Sequence, residues 1–125
     1  MKLRLAQPTH LVDISGLGEL SYIRKQGDSI AIGALTKHNE IRDSELIRSH
    51  LPILSDSADV IGDEQVRNMG TIGGSLSHAD PAGDYTGVVL ALDATIKVTS
   101  VTSSRTIGAK ICSFFLLSFS LVHLF

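Results

Sequence analysis

Three glycines, Gly70, Gly73 and Gly74, fall within five residues of one another, and they constrain this chain more than any other feature. Thr71 and Ser75 sit among them, Arg67 and Asn68 precede them, and Ala79-Asp80-Pro81 leads on to Asp84. Glycine permits positive φ and lets another group approach the backbone where a Cβ would otherwise stand. Consecutive amides in such a turn can point the same way and form an anion-binding concavity. The hydroxyls of Thr71 and Ser75 are donors suited to phosphate oxygens, and the Arg67 guanidinium is a planar fork able to pair with phosphate. Two readings stand: a loop wrapped closely around an anionic ligand, or a tight turn that simply requires glycine.

The flanking pattern is mixed. Leu11–Ile14 is a short apolar run and reads as a buried strand. Leu20–Arg24 and Ser29–Ile32 flank Gln26-Gly27-Asp28, the signature of a hairpin with a short glycine-containing loop. Thr36 is placed to cap a helix over Lys37–Ile41, and Ser44 a second over Glu45–His50. Pro52 starts a third, where its missing N–H costs nothing. Leu54, Ala58 and Ile61 recur at helical spacing, as do Tyr85, Val88, Val89 and Leu92 after Asp84. Thr95–Thr99 alternates, with Ile96 and Val98 on one face, and Arg105–Ile107 is placed to pair with it across Ser100–Ser104. The pattern is α+β, with helices between small groups of strands.

Composition narrows the function classes. The 125 residues suit one modest domain. With 43% hydrophobic and 19% charged residues the chain is globular in character. A net charge of −2 and 5% aromatics without tryptophan argue against a nucleic-acid surface. One cysteine, Cys112, excludes an intrachain disulfide and a cysteine-ligated cluster. No apolar signal core follows Met1, so a cytoplasmic location is expected. The last fifteen residues are almost wholly apolar and hold all four phenylalanines. They are too few for a membrane span of about 20 residues.

The remaining polar residues suggest little chemistry of their own. Ser75 and Ser77 lie near His78, but no nucleophile elbow surrounds them. His78, Asp80 and Asp84 match no metal-ligand spacing. Asp80, before a proline, is biased toward extended backbone and reads as a turn residue. His38 and Glu40 read as a solvated helix face. Asp84 has two readings, a helix cap or a ligand contact.

Taken together, Gln65-Val66-Arg67-Asn68, Gly70-Thr71-Ile72-Gly73-Gly74-Ser75 and Ala79-Asp80-Pro81 with Asp84 resemble a flavin-contacting segment. The relatives are the FAD-binding (medium) subunits of molybdenum hydroxylases, a family that includes those of carbon monoxide dehydrogenase and xanthine dehydrogenase. Ile32-Gly33-Ala34-Leu35-Thr36 with His38 and Glu40, and Leu90-Ala91-Leu92-Asp93-Ala94, extend the likeness over residues 1–110. Ser75 stands where the carbon monoxide dehydrogenase type usually has Asn.

The resemblance implies a partial PCMH-type FAD-binding domain, an oxidoreductase setting and FAD as cofactor. Thr71, Ile72, Gly73, Gly74 and Ser75 would hold the pyrophosphate region, Asp84 the ribose or adenine end, and Ile61 an apolar contact to the flavin. Catalytic side chains and metal ligands are not expected, because the cofactor carries the redox chemistry. The implied partners are an iron–sulfur subunit and a molybdenum-cofactor subunit.

The family's first Gly-Gly loop lies upstream of the region matched by Met1, so weak or absent FAD binding by this chain alone is expected. Residues 111–125 depart from the family, and a truncated or frame-disrupted member is expected there, against a terminal core helix or a partner-facing tail. Two further alternatives stay open: a non-catalytic subunit-docking module, and a generic nucleotide- or phosphate-binding module.

Overall fold

In the computed structural model, residues 9–80, 82–110 and the backbone of 122–124 are described. A short 3-10 turn at Gly18–Leu20 leads into a hairpin of β1 (Ile23–Gln26) and β2 (Ser29–Ile32). Gly27 takes φ +62° in its two-residue loop, a conformation that favours glycine. Four short helices follow: α1 (His38–Asp43), α2 (Glu45–His50), α3 (Pro52–Val60) and α4 (Glu64–Met69). Then come α5 (Ile72–His78), α6 (Asp84–Ala91) and the hairpin of β3 (Thr95–Thr99) and β4 (Ser104–Gly108). Val122–Leu124 forms β5. The strands make one sheet, ordered β1-β2-β5-β3-β4, with every neighbouring pair antiparallel. The α+β class is as the pattern indicated.

Local signals account for much of this. The Ser44 hydroxyl accepts from the Ile47 amide at 3.3 Å and so caps α2. Pro52 occupies the first turn of α3, and the Asp63 carboxylate caps α4 by accepting from Val66 N–H at 2.9 Å. Leu54 and Ala58 of α3, Ile72 and Leu76 of α5, and Tyr85, Val88 and Val89 of α6 pack into one core with Ile41, Ile47, Ile96 and Val98. Burial alternates along β3, with Ile96 and Val98 inside. That is the two-residue period of a strand with one face covered.

Two expectations are overturned. Leu11–Ile14 is neither strand nor buried: Leu11 is 71% and Val12 83% exposed, and Asp13 accepts from Ser15 N–H in a local turn. Thr36 does not cap α1. Its hydroxyl donates to the Tyr22 carbonyl at 3.0 Å and accepts from Tyr22 N–H at 3.2 Å, and this pins the segment after β2 to the one before β1. Lys37 precedes α1 instead, and the Glu40 carboxylate reaches back to its N–H at 2.8 Å. Residues 111–121 and Phe125, on which most of the tail reading falls, lie outside the described residues. Three residues of that tail, Val122–Leu124, take strand backbone between β2 and β3.

Candidate functional site

The glycine motif is a helix start rather than an open loop. Thr71 is the cap residue of α5, and its hydroxyl accepts from Gly74 N–H at 3.1 Å. The amides at this end are accounted for one by one. Ile72 N–H donates to the Thr36 carbonyl at 3.0 Å, Gly73 N–H to the Ala34 carbonyl at 2.9 Å, and Ser75 N–H to the Thr71 carbonyl at 3.0 Å. The backbone therefore does not offer the row of free amides that an anion nest requires.

The two central glycines differ. Gly73 is buried, and a Cβ there would come 2.6 Å from the Ala34 carbonyl oxygen and 2.7 Å from the Ala34 Cβ. Glycine at 73 lets α5 lie against the Ala34–Thr36 segment. Gly74 faces solvent, and its nearest neighbour would be the Thr71 hydroxyl oxygen at 3.1 Å. It leaves bare backbone on the surface between Thr71 and the half-exposed Ser75. The Ile72 side chain is fully buried in the core.

Asp84 is the first residue of α6, and Gly83 is its cap residue, so the side-chain cap reading of Asp84 does not hold. Its carboxylate is exposed, in the first turn, where negative charge is favourable. Asp80 is a turn residue, as its place before Pro81 indicated. Its carboxylate accepts from Ala82 N–H at 2.9 Å, and its carbonyl accepts from Gly83 N–H and the Thr86 hydroxyl. Helix α5 packs on α6, and Asp84 is the first residue of α6. Ile61 follows the end of α3, half-buried against the core, with Val60 exposed beside it.

Arg67 is not available to phosphate. Its Nη1 donates to the carbonyls of Asp59, Ile61 and Gly62 at 3.1, 3.2 and 2.9 Å, and its Nη2 pairs with Glu64 at 3.2 Å. A guanidinium at a helix C-terminus satisfies carbonyls that lack partners within the helix. Glu64 also accepts from Arg42 at 3.1 Å and Asn39 at 2.7 Å. The hydrogen bonds from Arg42, then Arg67 and Asn39, hold its carboxyl below the usual range.

A different cation stands near the motif, one that local sequence reasoning missed. Lys37 is exposed, and its backbone forms an antiparallel bridge with Thr71. Directly opposed residues of an antiparallel pair place their side chains on the same face. His38 also departs from its expected place. It is buried, not solvated: its Nδ1 lies 3.2 Å from the Tyr85 hydroxyl, and burial lowers its pKa from the ordinary 6.5.

A cavity of about 540 Å³ lies elsewhere. It is lined by Ile30, Ile32, Leu51, Leu54, Val89 and Leu92 among others, and by none of the candidate residues. At the motif Gly74 is exposed and Thr71 and Ser75 are part-exposed. Its chemistry fits an anionic group: two hydroxyls, a cation across the bridge, and a glycine that lets a ligand atom reach the backbone.

Residues 1–120 match the family described as the FAD binding domain in molybdopterin dehydrogenase. The chain belongs to this family. It is 43% identical over 109 residues to the glyceraldehyde dehydrogenase medium chain of Sulfolobus acidocaldarius, covering 87% of this chain and 39% of that one. It is 41% identical over 109 residues to the carbon monoxide dehydrogenase medium chain of Hydrogenophaga pseudoflava, covering 87% and 38%. The solved carbon monoxide dehydrogenase from Hydrogenophaga pseudoflava superposes with a TM-score of 0.91 at 37% identity, over 99% of this chain and 46% of that chain. The chain thus spans less than half the length of the relatives it matches. FAD is the cofactor expected of the family. Among the described residues no group of three or more His, Cys, Asp or Glu is placed to hold a metal, and no helix is long and apolar enough to cross a membrane.

Proposed function

We propose that this chain supplies one side of an FAD site in the flavin subunit of a molybdenum hydroxylase. The observation that carries the reading is the open Thr71–Gly74–Ser75 surface in a chain of this family. Thr71 and Ser75 would donate to pyrophosphate oxygens, and Gly74 would let the phosphate approach the backbone. The amides of Ile72 and Gly73 hold the turn on Ala34 and Thr36. Asp84 would accept from the ribose or adenine end, and Ile61 would give an apolar contact to the flavin. When bound, FAD supplies two-electron and one-electron chemistry, taking electrons from iron–sulfur clusters and passing them to an acceptor. The chain's own part is to bind and orient it beside an iron–sulfur subunit and a molybdenum-cofactor subunit, in the cytoplasm.

FAD titration of the purified chain, followed by flavin fluorescence, tests this reading. Weak or absent binding is expected alone, and retained flavin is expected when the chain is co-expressed with iron–sulfur and molybdenum subunits of a relative. A stoichiometric yellow chain would overturn the weak-binding expectation. Thermal stabilisation by ATP with FAD inert would overturn the flavin assignment.

A further inference from the structure

The candidate site is built from two segments, the Thr71–Ser75 turn and the start of α6, and a residue belonging to neither joins them. His38 N–H donates to the Gly70 carbonyl at 3.3 Å. Its ring lies against Gly70 itself, where a Cβ would come 2.6 Å from Nε2 and 2.8 Å from Cδ2. On its other side Nδ1 meets the Tyr85 hydroxyl at 3.2 Å, with ring centroids 5.3 Å apart and planes at 54°. Gly70 directly precedes Thr71, and Tyr85 directly follows Asp84.

We propose that His38 and Tyr85 are a positioning pair: they fix the Thr71–Ser75 turn relative to Asp84 so that both reach a single dinucleotide ligand, and neither touches that ligand. The proposal rests on the reading that these two segments contact FAD. Three features support the pairing. Both residues are buried, at 4% and 0% exposure, so the Tyr85 hydroxyl depends on a partner inside the protein, and His38 Nδ1 is that partner. The only residue type that leaves room for the imidazole at position 70 is glycine. Burial lowers the His38 pKa and raises that of Tyr85, the latter reinforced by the Asp84 charge. The pair is therefore neutral near pH 7, with one hydroxyl and one imidazole able to share a proton between them.

The test measures amide hydrogen exchange and FAD affinity on the full chain with Tyr85→Phe, which keeps the ring and removes the hydroxyl. The expected result is exchange at Gly74, Ser75 and Thr86 at least tenfold faster than in the parent, with Ile96 and Val98 of the sheet unchanged. His38→Asn, which retains a polar group near the Nδ1 position, is expected to recover part of the protection, and His38→Leu none. Unchanged exchange at Gly74 and Ser75, or an equal rise across the sheet, would overturn the proposal. If Tyr85→Phe does not fold, Gly70→Ala, which displaces the His38 ring, carries the same readout. FAD affinity separates the two claims. Local loosening, with a parent chain that retains no flavin even when co-expressed with iron–sulfur and molybdenum subunits of a relative, would sink the flavin reading and leave the positioning pair standing. Equal FAD binding by parent and Tyr85→Phe, with exchange unchanged, would sink the pair alone.

Discussion

Gly73 and Gly74 are adjacent and look interchangeable in sequence, but the structure assigns them opposite sensitivities. In Gly73→Ala the new methyl would meet the Ala34 carbonyl oxygen at 2.6 Å, its Cβ at 2.7 Å and its Cα at 2.9 Å. Those are backbone and first side-chain atoms of a buried segment that cannot swing away. Overpacking of this kind costs about 1–3 kcal/mol. Displacing α5 also weakens the Gly73 N–H to Ala34 carbonyl bond, worth about 1 kcal/mol. Alanine returns about 1 kcal/mol in helix propensity. The net loss is about 2 kcal/mol, or roughly 8 °C in melting temperature for a domain of this size. Gly74→Ala meets only the Thr71 hydroxyl, at 3.1 Å, and gains the same propensity, so its stability should stay within about 0.5–1 kcal/mol of the parent. Urea unfolding followed by far-UV circular dichroism measures both. Equal destabilisation of the two variants, or a stable Gly73→Ala, would refute the assignment of Gly73 to packing and Gly74 to open surface.

Thr71→Ala removes the α5 cap and should cost about 1 kcal/mol in the same assay, a loss that Thr71→Ser should largely avoid. Ala79 holds φ 54° and ψ 35° at the end of α5, so Ala79→Gly should stabilise by about 0.5–1 kcal/mol by relieving a left-handed strain that glycine does not feel. Arg67→Lys should destabilise and not rescue, because an ammonium cannot span three carbonyls and Glu64 as the planar fork does; thermal unfolding of Arg67→Lys beside Arg67→Met checks this. His38 has a folded pKa below its unfolded value of 6.5, so the unfolded chain binds the extra proton first. Its contribution is intact above pH 6.5 and declines as pH falls from there through the lowered folded value. Glu64 and Asp43, also lowered, lose theirs only as pH falls below their ordinary values of 4.5 and 3.8. Melting temperature should therefore begin to fall as pH drops below 6.5, ahead of the carboxylate losses, and His38→Asn should abolish that first decline.

The elements legible in the sequence are those whose cause is local. The Gly27 hairpin, the Ser44 cap, the Pro52 helix start and the alternation of β3 each depend on residues a few positions apart. The misreadings share the opposite property. Thr36 reads as a cap for the next helix but bonds Tyr22, fourteen residues back. His38 sits in a pattern that reads as a polar helix face, yet its partner is Tyr85, 47 residues on. Arg67 reads as a free cation until the carbonyls at the end of α3 claim it. In each case a polar side chain had two plausible partners, and the tertiary arrangement, which no local window contains, decided between them. The glycine motif was legible as a place needing glycine. That Gly73 serves close packing and Gly74 an open surface follows only from where Ala34 lies.

That division of labour also bounds what the motif can bind by itself. Of the donors in and beside the motif, the amides of Ile72, Gly73, Gly74 and Ser75 already have partners, and the Arg67 fork is committed. What remains is the hydroxyl pair of the part-exposed Thr71 and Ser75, with the exposed Lys37 across the bridge. Two hydrogen bonds to a charged group contribute about 1.5–3 kcal/mol each. An exposed ion pair adds about 0–1 kcal/mol. Association costs an estimated 4–15 kcal/mol in lost freedom. The surface of this motif therefore roughly breaks even or falls short, and a tightly held dinucleotide needs donors beyond it. The residues with the least ligand-facing chemistry, Gly73 and the buried Ile72, are then as important to the site as Thr71 and Ser75, because a site with few contacts gains most from having them held rigidly in place.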